Sequence, residues 1–311
     1  MISNVKRIAV RPVTHGLVAL MASCLLLVAG PVVSGPVIAG LVQPPPAREY
    51  KDVVYSTADG RSFGLDLYIP AGVSRPPLVV WVHGGAWRSG TKAQVPPIFV
   101  ENGYATASLD FRQSTDARFP AGVHDIKAAI RFLRAKAQEY GYRTDRIAIA
   151  GSSSGGHLAA LVGVTNGVKE LEGTVGGYPN ERSDVQAIVV YYGASNLLTI
   201  LAQSTPFGLG VRQPALELLL GGLPEKVPSL AQMASPVVHV GAGDPPLLLL
   251  HGDQDPQMPV NQSLEMQGAY EKAGLDVTLD VVHGAAHGGD LFFSPERIQR
   301  VVTFLRRTIG R

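Results

Sequence analysis

Gly151-Ser152-Ser153-Ser154-Gly155-Gly156 sets a serine between two glycines at the spacing Gly-x-Ser-x-Gly. An apolar run at 147–150 precedes it and an apolar segment follows from His157. In that setting the pattern describes a sharp strand-to-helix turn with its middle serine, Ser153, at the apex. A turn this tight leaves no room for side chains on either flank, hence the two glycines. The helix that follows aims its first N–H groups at negative charge developing beside the serine. Taken alone, the five residues also fit a Ser/Gly loop that caps a helix; their place between strand and helix favours a nucleophile.

Three further clusters supply what a serine nucleophile needs, each just after an apolar run. His83-Gly84-Gly85-Ala86-Trp87 follows 78–82. Its glycines let the main chain approach a substrate closely, so the N–H groups of Gly85 and Ala86, with that of Ser154, are expected to hold an oxyanion. His83 itself reads as a structural hydrogen-bonding residue. His251-Gly252-Asp253-Gln254-Asp255-Pro256 follows 247–250 and offers two carboxylates. Asp255, further out on the loop, is the expected partner of a histidine, and Asp253 is expected to brace the turn. His283-Gly284-Ala285-Ala286-His287 follows 277–282 and offers two bases. His283 sits almost in the strand, whereas His287 lies on the loop that must reach Ser153, so His287 is the expected base. The chain order Ser153, Asp255, His287 separates this arrangement from the other serine-hydrolase orders.

These clusters need a frame that brings loop ends together. Short alternating runs at 52–56 and 63–69 flank Asp59-Gly60 and read as a hairpin. Apolar β-rich runs follow at 78–82, 105–109, 147–150, 187–191, 247–250 and 277–282, without strict alternation, as expected of strands buried on both faces. Helices are expected at 121–140, 155–164, 261–273 and 295–308. The expected fold is α/β: an eight-stranded, mostly parallel sheet with helices on both faces, its ligands bound beyond the carboxyl ends of the strands. Residues 193–245 break the rhythm with short helical fragments and read as a cap-like insertion within one domain, 43–311.

Apolar residues make up 46% of the chain and charged residues 17%, enough for a large core and too apolar for general disorder. Lys6, Arg7 and Arg11 are the only charges in the first 40 residues, so the remainder is nearly balanced and gives no footprint for nucleic acid. Cys24 is the single cysteine, which excludes an internal disulfide and a cysteine-based metal site. No expected helix carries paired histidines at metal-ligand spacing, and the glycine-rich turn lacks the lysine of a phosphate-binding loop. Residues 1–42 run from basic to apolar to small residues, the order of a secretory signal peptide. An uncleaved anchor and a lipoprotein site at Cys24 are the alternatives, and both imply export.

At these motifs the chain resembles α/β-hydrolases of the esterase/lipase group, and most closely the family of bifunctional feruloyl and acetylxylan esterases. The resemblance spans roughly 50–305. It rests on Leu65-Asp66-Leu67-Tyr68-Ile69-Pro70, the 83–87 cluster, Phe111-Arg112, the 151–158 turn, Leu171-Glu172-Gly173, Ala234-Ser235-Pro236, Asp244-Pro245-Pro246 and the 251–259 and His287 loops. It implies hydrolysis of carboxylic esters by Ser153, Asp255 and His287 through an acyl-enzyme, without metal or organic cofactor, on small-molecule or sugar-linked esters. Two departures bear on substrate. Gly193-Ala194-Ser195-Asn196 stands where relatives often have a Gly-Pro-Thr-Asp turn, and Ser152 replaces the acidic residue often found before the nucleophile. An amide hydrolase on the same frame, peptidase or arylformamidase-like, and a non-catalytic binding protein are the competing readings.

Overall fold

The computed structural model describes residues 48–310, so the expected leader at 1–42 lies outside the described residues. β1 (Arg48–Ala58) and β2 (Arg61–Ile69) form the leading hairpin. Then come β3 (Pro77–Val82), α1 (Ile98–Glu101), β4 (Ala105–Leu109), α2 (Ala121–Ala135), α3 (Ala137–Tyr140), β5 (Arg143–Ser152), α4 (Ser154–Val164), α5 (Lys169–Glu172) and β6 (Ala187–Tyr191). The chain continues through α6 (Ile200–Gln203), α7 (Pro206–Leu220), α8 (Pro228–Met233), β7 (Leu247–Gly252), α9 (Asn261–Lys272), β8 (Val277–Val282) and α10 (Pro295–Thr308).

The eight strands make one sheet in the order β1-β2-β4-β3-β5-β6-β7-β8. β2 is antiparallel to both neighbours, and every pairing from β4 to β8 is parallel. All residues of β3, β4, β6 and β7 are buried, which is why their sequences do not alternate. Successive residues of β3 feed opposite layers. Leu78, Val80 and Val82 join a core with Ile126 of α2 and Leu161 of α4. Val79 and Trp81 join another with Phe99 of α1 and Leu305 of α10. Helices therefore cover both faces, as the sequence predicts for an α/β-hydrolase sheet.

Some boundaries differ from expectation. The helix expected over 121–140 is two helices, because the Leu133 carbonyl accepts from the Tyr142 hydroxyl at 2.7 Å and Lys136 leaves helical geometry at φ −99, ψ 4. β5 begins four residues before the apolar run that announced it, since its first residues are polar and largely outside the core. The insertion at 193–245 contains α6, α7 and α8, the second a full 15 residues long.

A buried chain of hydrogen bonds ties that insertion to the sheet. Ser235 Oγ donates to the Ala231 carbonyl and accepts from Leu197 N–H at 2.9 Å. The neighbouring Ala234 carbonyl accepts from His157 Nε2 at 2.7 Å, and His157 Nδ1 accepts from Trp87 Nε1 at 2.9 Å. These partners assign the proton of His157 to Nε2. The chain thereby links the insertion, the first turn of α4 and the loop after β3. Ala86 and Trp87 on that loop have φ of 53 and 60, a left-handed backbone that persists only where its surroundings hold it.

Burial pushes the His157 imidazole down from 6.5 to about 4, against the pull of its bond to Ala234. Between those pH values the unfolded chain holds the proton and the folded chain does not. Stability should therefore fall as pH drops from 6.5 towards 4, with His157 contributing up to about 3 kcal/mol of the loss. His83, also held down by burial, adds to the same slope. We expect the urea midpoint to decline across this window, and His157→Gln, which keeps an acceptor for Trp87 and a donor for Ala234, to flatten the decline. An unchanged slope in that variant would remove His157 as its cause.

Candidate active site

β5 delivers the chain to Ser152, and α4 starts at Ser154, slightly earlier than the sequence suggests. Between them Ser153 adopts φ 53, ψ −123. The two flanking glycines are required by backbone contacts. A Cβ on Gly151 would lie 2.4 Å from the Gly155 carbonyl oxygen, and one on Gly155 would lie 2.2 Å from that of Val82. Ser153 N–H donates to the Tyr191 carbonyl at 2.9 Å, so β3, β5 and β6 together hold the turn.

The loops after β7 and β8 bring Asp255 and His287 to this serine. Ser153 Oγ donates to His287 Nε2 at 2.8 Å, and His287 Nδ1 donates to Asp255 Oδ2 at 2.6 Å. The other carboxylate oxygen, Oδ1, accepts from the N–H groups of Gln257 and Met258, both at 2.8 Å. Burial alone would raise the Asp255 carboxyl, yet the neighbouring imidazoles of His251 and His287 hold it well below the usual carboxylate range. It is therefore ionised at neutral pH and holds a negative charge against the His287 ring. His251 is fully buried, bonded to Ser263 Oγ at 2.7 Å and to the Met258 carbonyl at 2.9 Å, and it supports Asp255 from behind at 3.6 Å.

The competing pair also meets, but elsewhere. His283 Nδ1 lies 2.8 Å from Asp253 Oδ2, with Asp253 Oδ1 accepting from Gly284 N–H. The His283 side chain is 84% exposed against 11% for His287, and its contacts brace two loop ends at the surface. His83 stacks on Phe111 at 4.7 Å and donates Nδ1 to the Gly84 carbonyl, the structural place expected of it.

Gly85 and Ser153 line one open cavity of about 320 Å³ with Gln94, Tyr192, Gln257 and His287. Among the described residues, no backbone carbonyl accepts from the N–H of Gly85 or Ala86. Ser154 is the first residue of α4, so its N–H has no partner within the helix. All three expected oxyanion donors thus belong to segments bordering Ser153 with N–H groups to spare. A larger hollow of about 520 Å³ at the amino ends of β5 to β7 is lined by Asp145, Asp184 and Asp244 and has no serine or histidine in its wall.

Sequence reasoning missed Tyr192, Gln94 and Gln257. Tyr192 packs its ring edge-on to His287 at 4.8 Å, and its φ of 41 marks a strained backbone at the carboxyl end of β6. Its place one residue past an apolar strand was the available signal. Gln94 had none.

The family described as BD-FAE matches residues 65–270. The chain is similar to Esterase LipQ of Mycobacterium tuberculosis, 31% identical over 261 residues that cover 80% of this chain and 60% of that protein. It is also similar to isoprenylcysteine alpha-carbonyl methylesterase ICME of Arabidopsis thaliana, 30% identical across 73% of this chain and 54% of that one. The chain therefore spans little more than half the length of these curated relatives. Two examples illustrate the fold it shares with solved structures. One is a truncated carbohydrate esterase from gut microbiota, with TM-score 0.76 and 27% identity over 86% of this chain and 99% of that one. The other is a thermophilic esterase of Thermogutta terrifontis with butyrate bound, with TM-score 0.68 and 28% identity over 85% and 94%. With its sheet order, its serine turn and this match over most of the described residues, the chain belongs to the BD-FAE family and has the α/β-hydrolase fold.

Proposed function

We propose that the protein is a serine carboxylic ester hydrolase that acts on short-chain acyl esters through Ser153, His287 and Asp255. The observation that carries the reading is the continuous line of hydrogen bonds from Ser153 Oγ through His287 to Asp255. In the first half-reaction Ser153 Oγ attacks the ester carbonyl while His287 Nε2 takes its proton. The tetrahedral oxyanion is held by the N–H groups of Gly85, Ala86 and Ser154. Collapse breaks the ester C–O bond, His287 returns the proton to the departing alkoxide, and the acyl group stays on Ser153. Water, deprotonated by His287, then releases the acid and restores the serine.

The preference for short acyl groups is supported by the modest cavity and by the polar side chains in its wall, Gln94, Ser152 and Gln257. The Thermogutta terrifontis neighbours carry propionate and butyrate, acyl groups of this size. A sugar-linked alcohol is the reading supported by the carbohydrate esterase neighbour. We further propose that residues 1–42 direct export, on the strength of their basic, apolar and small-residue order. Recovery of a mature protein outside the cytoplasm, starting between about 30 and 40 or still anchored, is the expected outcome. An intact Met1 on a cytoplasmic protein would overturn it.

The catalytic reading is tested by assaying the triad variants on esters of increasing acyl length, with matched amides alongside. Ser153→Ala and His287→Ala should each lose about 10⁴-fold in turnover, and the double variant should be little worse than either. Asp255→Asn should retain more activity, whereas His283→Ala and Asp253→Asn should alter stability more than rate. Turnover should be highest for acyl groups of about two to six carbons, because a wall that includes Gln94, Ser152 and Gln257 offers little apolar surface to a long chain. Loss of activity in His283→Ala with His287→Ala spared, or best activity on long-chain esters, would contradict the proposal.

A further inference from the structure

Arg212 lies in the middle of α7 with 1% of its surface exposed, the largest fully buried side chain among the described residues. Its Nε donates to the Gln257 carbonyl at 3.2 Å, its guanidinium lies 5.7 Å from the Trp87 ring, and its Nη1 has no hydrogen-bond partner. An under-paired buried cation costs stability that an apolar side chain of similar volume would not, so its presence asks for a use.

The Gln257 carbonyl and the Met258 N–H are the two ends of one planar peptide group. That N–H donates to Asp255 Oδ1 at 2.8 Å. We propose that Arg212 is a positioning residue for the catalytic carboxylate, orienting and polarising through the 257–258 peptide the N–H that holds Asp255. The proposal rests on the reading of Ser153, His287 and Asp255 as the catalytic line. A cation strengthens the hydrogen bonds that donate in line away from it, here from the guanidinium to the 257 carbonyl and from the 258 N–H to the Asp255 carboxylate. Thr205 on the same insertion donates Oγ1 to the Pro256 carbonyl at 2.8 Å, so two successive carbonyls of the acid loop are pinned by one helix start and one helix middle. The insertion thus takes part in building the site.

The charge also acts across space. Burial draws the Arg212 guanidinium down to about 10, the Asp255 carboxylate opposing this and the cation of Arg88 adding to it. The other titratable groups about the line are His251 behind Asp255 and Tyr192 against His287. Without the cation at 212, a proton is retained on the line to higher pH, and the active form, with a neutral base, begins later on the pH scale.

The test compares Arg212→Met, Arg212→Lys and Ser153→Ala on one short ester. In Arg212→Met we expect kcat to fall about 10-fold or more with KM little changed, at a thermal midpoint equal to or above that of the parent. The acidic limb of its kcat/KM profile should move to higher pH, while Arg212→Lys keeps the limb in place and recovers most of the rate. If Arg212→Met does not fold, Arg212→Gln carries the same expectation. Parent-like kcat and limb in the neutral variant would overturn the proposal, as would equal losses in the lysine and neutral variants with an unmoved limb, the mark of packing alone. Ser153→Ala separates the two levels: inactive, it leaves any failure with Arg212, and active, it places the failure in the triad reading.

Discussion

The left-handed turn at Ser153 is the constraint on which the rest of the structure depends. Its φ of 53 and ψ of −123 cost about 1–3 kcal/mol in a free chain, so the surrounding structure must supply that much and more. It does so by contact of main chain with main chain, Gly151 against Gly155 and Gly155 against Val82, with Tyr191 accepting the serine's own N–H. Three parallel strands must therefore run side by side and in register before the serine can be presented. The neighbouring loops follow from the same sheet order. With β3, β5, β6, β7 and β8 adjacent in that sequence, the 83–87 loop, Ser153, Tyr192, Asp255 and His287 fall in line at the carboxyl ends of the strands.

The insertion at 193–245 is bound to the loops at these strand ends by polar contacts. Ala234 reaches Trp87 through His157, and α7 reaches the acid loop through Thr205 and Arg212. One connection ends on the side chain of Trp87, a left-handed residue of the loop after β3, and the other on the peptide whose N–H holds Asp255. Hydrogen bonds of this kind specify geometry more strictly than apolar packing, because an unmet donor or acceptor in the interior is costly. The site is therefore assembled from the sheet on one side and the insertion on the other.

Much of this was legible in the sequence because the constraints are local. Gly151 and Gly155 announce the turn, unbroken apolar runs announce strands buried on both faces, and the 83–87 cluster announces a loop that must approach a substrate. The choice of Asp255 and His287 over Asp253 and His283 rested on reach from the strand end, and the structure brings the former pair to Ser153 and leaves the latter at the surface. The missed features depend on partners far along the chain. Nothing near Arg212 says that it meets Gln257, nothing near His157 says that Trp87 and Ala234 lie on either side, and the break at Lys136 depends on a tyrosine six residues on. A polar residue within an apolar helix is compatible with many interiors until the partner is seen.

The central claim, that Ser153 is a nucleophile made reactive by His287, is most directly tested by covalent labelling with a fluorophosphonate followed by mapping of the modified peptide. Three serines stand in a row at 152–154, so the position of the adduct is informative. The account predicts one adduct per chain, on Ser153, formed quickly in the parent and only slowly when His287 is replaced by alanine. No adduct, or one on Ser152 or Ser154, would contradict it.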